Sequence, residues 1–389
     1  MTSNDPRPRL LFHVQHMLGI GHRVRGERIA RACVDAGFDV TLMEGGVPDN
    51  IRPEDDPVGL TRIQLPPAKS ADAAFSGVVD AVTGLPIDDD WRERRATASL
   101  DVLNECHPNI LLLEGFPFAR RAFRFELLPL IAAAREAGAR TAVSIRDILV
   151  LRKDRRKDSE IAEIARAAFD AILVHGDPGF AQLADSFAAA PGVADKLIYT
   201  GIVGPPPPAS GVIHHGDVIV SAGGGATGGA LIRAAIAARP ISSLSERTWR
   251  IMIGPNLPDG DRAALEKLPD GILAEPARAD FLDLLAGASV SISQAGYNTV
   301  ADLAVSGCPA VLVPFEGPGG GETEQPTRAR LLARAGRAVC VPEKGLDARS
   351  IAQAIDEALA LPRSDRAFYR MAGAESSARA LLSLLGDRT

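Results

Sequence analysis

Short β-rich apolar runs alternate with longer stretches of helical spacing along most of the chain, and that alternation predicts βα units around mostly parallel sheets. In the first half the apolar runs predict strands at 10–14, 39–43, 110–113, 141–144, 171–174 and 197–200, with helices near 24–36, 91–105, 127–137 and 161–168. The pattern then stops at Gly204-Pro205-Pro206-Pro207-Pro208-Ala209-Ser210-Gly211. Each proline there lacks a donor and constrains the residue before it, so the segment fits neither a helix nor a central strand. Alternation restarts with strands at 217–221, 248–253, 289–292, 310–313 and 338–341 and helices near 230–238, 281–285, 300–305, 327–335 and 351–361. A final stretch, 365–385, carries Phe368, Met371, Leu381, Leu382 and Leu385 at helical spacing. The expected fold class is therefore α/β, with two Rossmann-like domains facing a cleft. An N-terminal domain spans 1–203, a linker 204–216 and a C-terminal domain 217–364, and a helix within 365–389 packs back on the first domain.

Length and composition agree. The 389 residues exceed one ordinary hydrophobic core, and 46% hydrophobic with 24% charged residues leave no compositional sign of long disorder. A net charge of -6 argues against a nucleic-acid partner, whose footprint should be basic. The four cysteines, Cys33, Cys106, Cys308 and Cys340, show no CxxC spacing, so neither a zinc site nor a disulfide framework is expected. The polar first nine residues hold no apolar signal core and no run reaches a membrane-spanning length, which makes a cytoplasmic location the expectation.

Three constellations carry chemistry. The first, Gly19-Ile20-Gly21-His22-Arg23-Val24-Arg25, follows the opening strand. Its glycines let the backbone turn sharply, and His22 falls at a helix entrance, where a neutral imidazole suits general-base work. The competing reading is a histidine that only hydrogen-bonds its turn. The second, Ser221-Ala222-Gly223-Gly224-Gly225-Ala226-Thr227-Gly228-Gly229, leads from a strand into a helix, so its amides form an anion site for a diphosphate. It lacks the Gly-Lys-Ser/Thr ending of a Walker A loop. A close-packed turn without a ligand is its alternative, and a solvated surface position is the alternative for Arg233.

The third constellation is Ser293-Gln294-Ala295-Gly296-Tyr297-Asn298-Thr299-Val300-Ala301-Asp302, then Gly307-Cys308-Pro309, then Glu322-Thr323-Glu324-Gln325. It reads as strand, glycine turn, helix, strand and polar loop, the layout of a nucleotide-sugar pocket at the carboxyl ends of parallel strands. If Thr299 caps the helix, Asp302 occupies its third position and serves the helix dipole; in the functional reading its carboxylate accepts ribose hydroxyls. Glu324 and Gln325 precede Pro326 at another helix entrance, and the Gly317–Gly321 stretch delivers both to the same strand-end face, where sugar hydroxyls need acceptors and amides. In the first half, Phe116, Phe118, Phe123 and Phe125 interleave with Arg120, Arg121 and Arg124. Buried phenylalanines with exposed arginines is the favoured reading, against an anionic or lipid-linked acceptor surface. The run Arg152-Lys153-Asp154-Arg155-Arg156-Lys157 reads as a solvated helix entrance.

Together these residues resemble the GT-B fold glycosyltransferases related to family 28, which include the N-acetylglucosamine transferase of peptidoglycan lipid synthesis. Phe116-Pro117-Phe118-x-Arg120-Arg121, Ser144-Ile145-Arg146-Asp147 and Glu322-Thr323-Glu324-Gln325 resemble a bacterial branch called predicted glycosyltransferases, and the similarity spans nearly the whole chain. The resemblance implies an inverting, metal-independent transferase that moves a sugar from a UDP- or TDP-sugar to a hydroxyl acceptor. The nucleotide-sugar is a co-substrate, and no cofactor or metal is implied. It implies His22 as the base that activates the acceptor, and Gly223, Gly224, Gly225, Thr227, Gly296, Asn298, Thr299 and Asp302 at the donor nucleotide and diphosphate. Glu324 and Gln325 fall at the donor sugar. On the acceptor side stand Gly19, Gly21, Arg23, Arg25, Phe118, Arg120, Arg121 and Arg146, together with weak peripheral contact to the inner face of the membrane. Two departures stand out. Thr200-Gly201 runs into Ile202-Val203-Gly204 and prolines instead of an arginine, which leaves the Gly223–Gly229 amides, Arg23, Arg25 or His214 to neutralise phosphate; and Asp302 is one methylene shorter than the family's glutamate. A nucleotide-sugar hydrolase using His22 to activate water, and a binding protein without turnover, are the alternative functions.

Overall fold

The structure is a computed structural model that describes all residues except 1–6, 18, 20, 49–52, 73–76, 153, 209–211, 225–226, 255–256, 264, 363–368 and 387–389. It divides into two compact units, one of Met1–Val203 with Ala372–Thr389 and one of Gly204–Met371. The strands in chain order are β1 (Arg9–Val14), β2 (Asp39–Glu44), β3 (Leu60–Gln64), β4 (Ala68–Ser70), β5 (Val78–Asp80), β6 (Ile110–Glu114), β7 (Arg140–Arg146), β8 (Ala171–His175) and β9 (Leu197–Tyr199) in the first unit. The second unit has β10 (Val218–Ser221), β11 (Trp249–Ile253), β12 (Ile272–Pro276), β13 (Val290–Ser293), β14 (Ala310–Leu312) and β15 (Val339–Cys340). The helices are α1 (Gly21–Asp35), α2 (Asp89–Cys106), α3 (Arg124–Glu136), α4 (Arg155–Ala168), α5 (Gly229–Ala238), α6 (Asp259–Ala263), α7 (Phe281–Gly287), α8 (Tyr297–Ser306), α9 (Glu324–Arg334), α10 (Ala348–Ala360) and α11 (Gly373–Gly386).

In the first unit a parallel sheet runs in the order β3-β2-β1-β6-β7-β8-β9. Its central strands are apolar on both faces because both are covered, as crossover helices require. Alternation decides which residue goes where. Leu111, Leu113, Val143, Ile145, Ile172 and Val174 join one core with Leu103, Leu127, Leu130 and Ile161 of α2, α3 and α4. Leu10, Phe12, Ile110, Leu112, Ala171 and Leu173 face the other, with Ile29 and Cys33 of α1 and Ala378 and Leu381 of α11. The C-terminal helix thus belongs to the first unit. Gly373 begins it, and a Cβ there would lie 2.5 Å from Gly201 O, so the chain can return only on a residue without a side chain.

The second unit holds a parallel sheet in the order β12-β11-β10-β13-β14-β15. Val218, Val220, Trp249, Ile251, Val290, Ile292 and Val311 pack against Leu231, Ala235, Ile351 and Ile355 of α5 and α10. Both units are therefore Rossmann-like. Strands β3 and β12, the β4–β5 hairpin and α6 lie outside the elements expected from the sequence: β3 (LTRIQ) and β12 (ILAEP) are edge strands with polar and half-buried positions, so they lack an apolar run. Of the expected stretch 365–385, residues 365–368 lie outside the described residues and the helix begins at Gly373. Among the described residues no helix is long and apolar enough to cross a membrane.

Candidate functional site

In the first sheet the strand order reverses between β1 and β6. Loops leaving those two carboxyl ends part to opposite faces, and the crevice between them is where open α/β sheets bind ligands. The loop after β1 leads into α1, whose second residue is His22, and Glu114 is the last residue of β6. They meet there. His22 Nδ1 lies 2.7 and 2.8 Å from the two oxygens of Glu114. One helical turn on, Arg25 Nη2 donates to Glu114 Oε1.

Electrostatics fixes the tautomer. Burial alone would raise the Glu114 carboxyl, but His22, Arg25 and Arg120 overcome it and hold it well below the usual carboxylate range. An ionised carboxylate only accepts, so Nδ1 carries the hydrogen and Nε2 presents its lone pair. Burial, then the charge of Arg120, pushes the imidazole well below its ordinary value against the pull of Glu114, and Arg146 adds to the depression. His22 is thus a neutral imidazole held in one orientation, with 17% of its side chain exposed.

Behind this pair lies a buried polar chain. Thr200 Oγ1 donates to Gly201 O at 3.2 Å and accepts from His175 Nδ1 at 2.9 Å, while the Ser144 hydroxyl donates to His175 Nε2 at 2.6 Å. Burial, then Arg25, takes the His175 imidazole down to about 3 against the opposing charge of Glu114, so it is a neutral relay of hydrogen bonds. A separate buried network forms where Glu126 Oε2 pairs with Arg95 Nε at 3.0 Å and Glu126 Oε1 faces His13 Nε2 at 3.1 Å. Arg95 Nη2 donates to Gln15 Oε1 at 2.7 Å, which fixes the residue just beyond β1.

The remaining residues expected on the acceptor side divide. Gly21 opens α1, Gly19 is half-buried ahead of it, and Arg23 lies 4.0 Å from Glu27. Arg120 Nε donates to Gln15 O at 2.7 Å, and Arg146 ends β7. Arg121 pairs with Glu160 at 3.0 Å. Phe118 is a correction. It is buried edge-on against Phe187, with ring centroids 5.3 Å apart, so it belongs to the core and not to a binding surface. Arg25 is likewise committed to Glu114, which removes it as a partner for donor phosphate, whereas His214 is exposed.

The second sheet reverses between β10 and β13, where the glycine loop and the Gln294–Gly296 turn leave their strands in register, Ser221 beside Ser293. Gln294 Nε2 donates to the carbonyl and hydroxyl of Thr227 at 3.2 Å each, tying the two loops together. Gly223 has φ +58, and a Cβ there or at Gly296 would lie 3.8 Å from Thr299 Oγ1. Gly223, Gly224, Thr227, Gly296, Asn298 and Thr299 therefore gather at one switch point; Gly225 lies outside the described residues. Helices α5 and α8 start there, after Gly228 and Gly296 and with no side-chain hydrogen bond at either cap, and the Asp261 carboxylate lies against the first turn of α5, where a Cβ on Gly229 would meet it at 2.2 Å. Ser293 Oγ is buried with no partner among the described residues.

Helix α8 begins a turn earlier than its apolar spacing predicts, because Tyr297 is buried beneath the Arg328 guanidinium, 5.6 Å from its ring. Gly296 is the cap, so Asp302 sits in the second turn and not at a capping position. Glu324 is also reassigned: it is buried and paired with Arg328 at 3.0 Å, and Arg328 Nη1 donates to Ala295 O at 3.2 Å. Gln325 Oε1 accepts from the amides of Ala295 and Phe315, each at 3.1 Å. Both side chains brace the loops around the switch point.

Sequence reasoning missed Glu114 and His175, and it met Ser144 and Thr200 only within the motifs Ser144–Asp147 and Thr200-Gly201. The available signal was a polar residue closing an apolar parallel strand, as in Ile110–Glu114 and Ala171–His175. Among the described residues no group of three or more His, Cys, Asp or Glu side chains could hold a metal ion.

Comparison with known proteins places these sites in a family context. Residues 218–383 match the family model of the glycosyltransferase family 28 C-terminal domain. The UDP-N-acetylglucosamine--N-acetylmuramyl-(pentapeptide) pyrophosphoryl-undecaprenol N-acetylglucosamine transferase of Rhodopseudomonas palustris (strain BisA53) is 31% identical over 156 residues, 39% of this chain and 41% of that protein. The chain thus matches about two fifths of that relative's length. Among solved structures, the calicheamicin glycosyltransferase CalG4 superposes with a TM-score of 0.62 at 17% identity, covering 98% of this chain and 100% of that one. MurG of Acinetobacter baumannii gives 0.58 at 13% identity, covering 97% and 99%. These likenesses establish the GT-B fold over nearly the whole chain.

Proposed function

We propose that this chain, whose residues 218–383 match the glycosyltransferase family 28 C-terminal domain, transfers a sugar from a nucleotide diphosphate donor to a hydroxyl acceptor. His22 Nε2 takes the acceptor proton, the freed oxygen attacks the anomeric carbon from the face opposite the diphosphate, and the nucleotide diphosphate leaves with inversion. The observation that carries this reading is the His22–Glu114 pair at a switch point, a carboxylate-oriented base at hydrogen-bond distance. Glu114 fixes the tautomer and stabilises the imidazolium as it forms.

In the second unit, the glycine loop after β10 and the turn before α8 offer backbone amides to the charge that develops on the departing diphosphate. Asp302, half-buried on α8, takes the ribose hydroxyls, and Gln325 holds the loops over the sugar. UDP is the expected nucleotide, because the relative that is 31% identical over 156 residues is named for a UDP-sugar.

The test is thermal stabilisation by UDP, TDP, GDP and ADP, since a ligand of the native state at about 100 times its Kd adds about 2.7 kcal/mol. One diphosphate should raise the melting temperature and Asp302→Ala should abolish the rise. Stabilisation by none of the four refutes the donor site. A hydrolase differs in one result: sugar released from the donor without acceptor at the rate of transfer.

A further inference from the structure

The start of α5 is met by a carboxylate from another element. Helix α5 has no acid in its own first turn and no side-chain hydrogen bond at its cap, Gly228. Asp261 of α6 brings the charge instead. Both of its carboxylate oxygens would lie 2.2 Å from a Cβ on Gly229, so the first residue of α5 must lack a side chain for the carboxylate to sit there. Arg233, one turn further along α5, donates to Asp261 Oδ1 and holds it in place. Among the described residues that is the only hydrogen bond of the carboxylate, which bonds no amide of α5.

The sheet builds this placement. Strand β11 pairs with β10, Met252 beside Ser221, so the segment that follows β11 leaves the same carboxyl edge as the glycine loop. Helix α6 lies in that segment. Leu257 before it and Leu265 after it are buried in the core of the second unit, and Arg262 Nε donates to Leu257 O at 3.2 Å. Asp261 is thus carried on an anchored turn, with 25% of its side chain exposed. On the other side of β10, Ser293 of β13 keeps a buried hydroxyl that has no partner among the described residues.

An acid beside a helix start steadies the helix dipole. It also sets a fixed negative charge next to the glycine loop, whose amides the transfer reading gives to the departing diphosphate. We propose that Asp261 is a specificity residue of the donor site, which penalises the free nucleoside diphosphate more than the sugar-linked donor. This rests on the transfer reading and adds product release to it. The donor's diphosphate is esterified at both ends. Once the sugar has left, the terminal phosphate takes a further negative charge, its second ionisation lying at about pH 6. Repulsion by a fixed carboxylate grows with that charge, so Asp261 favours the exchange of product for fresh donor.

The experiment uses the full chain and isothermal titration calorimetry at about pH 8. UDP, TDP, GDP and ADP are titrated first, and the one that binds is compared with its terminal methyl ester, which has the charge of the donor and no sugar. The quantity read is the Kd of the diphosphate divided by that of the ester. Asp261→Asn should lower this ratio about threefold to tenfold, the effect of one unit charge several ångströms away in a largely solvated site. Gly229→Ala, whose Cβ displaces the carboxylate, should lower it as well and gives the same comparison should Asp261→Asn fold poorly. Arg233→Gln, which removes the neighbouring positive charge, should raise it. An unchanged or higher ratio in Asp261→Asn overturns the proposal and leaves Asp261 as a support of α5, even where the melting temperature falls. That result removes only this proposal, whereas binding of none of the four diphosphates removes the donor reading and the proposal with it.

Discussion

Replacing Glu114 by glutamine tests the centre of the first site in stability as well as chemistry. The shape is kept and the charge removed, which leaves Arg25, with 2% of its side chain exposed, as a buried cation without its counter-ion. Breaking one partner of such a pair costs about 3–5 kcal/mol, because the remaining charge stays desolvated. For a unit of this size about 2–4 °C of melting temperature accompany each kcal/mol, so the transition of the first unit should fall by roughly 6–20 °C. The glutamine amide also turns an N–H toward His22 in one of its two orientations, which demands the opposite tautomer, and turnover should drop about 10²–10⁴-fold. Calorimetry of Glu114→Gln, Arg25→Met and the double variant supplies the check. If the cost is the stranded charge, the double variant should be less destabilised than the sum of the singles by about 1–3 kcal/mol. Strict additivity, or a loss below about 1 kcal/mol in Glu114→Gln, would show that Glu114 and Arg25 are not a coupled buried pair.

Two further outcomes follow from neighbouring groups. His175 is protonated near 6.5 when unfolded and at about 3 when folded, so the unfolded chain binds the extra proton between those values. The stability it contributes is complete above about pH 6.5 and is lost as pH falls toward 3. Melting temperatures of the first unit measured from pH 7 to pH 4 should fall less steeply in His175→Gln, and parallel curves would refute the assignment. Gly45→Ala should destabilise the first unit by about 1–3 kcal/mol in urea unfolding, the cost of an overpacked core: its Cβ would sit 2.0 Å from Arg95 Nη2 and 2.3 Å from Gln15 Oε1, which bond each other in the buried network. A loss within about 0.5 kcal/mol would show that this network yields.

How much of this was legible in the chain depends on the range of the interaction concerned. Central strands such as Ile110–Glu114 and Ala171–His175 are apolar on both faces, so they stand out as runs, whereas the half-buried edge strand Leu60–Gln64 carries no comparable signal. The proline segment marked the division of the chain because its effect on backbone geometry is local. Glycine loops before helices were visible for the same reason. The start of α8 was not, because a contact with Arg328, 31 positions downstream of Tyr297, holds its first turn.

The functional residues divide along the same line. His22 was recognisable from its neighbours, since a glycine turn before a helix restricts what a polar side chain there can do. Glu114 lies 92 positions away and is defined as its partner only by the crossover that places β6 beside β1. In the second unit Glu324 has the opposite outcome. A helix entrance on a strand-end loop suggests a ligand contact, yet Arg328, four residues on, is buried with it, and two desolvated opposite charges satisfy each other more strongly than a sugar hydroxyl would. Polarity at a strand end therefore locates a site without dividing its members into those that meet the ligand and those that hold the frame. Burial and partners make that division, and it puts Glu114 and His175 of the first unit, and Glu324 and Arg328 of the second, in the frame.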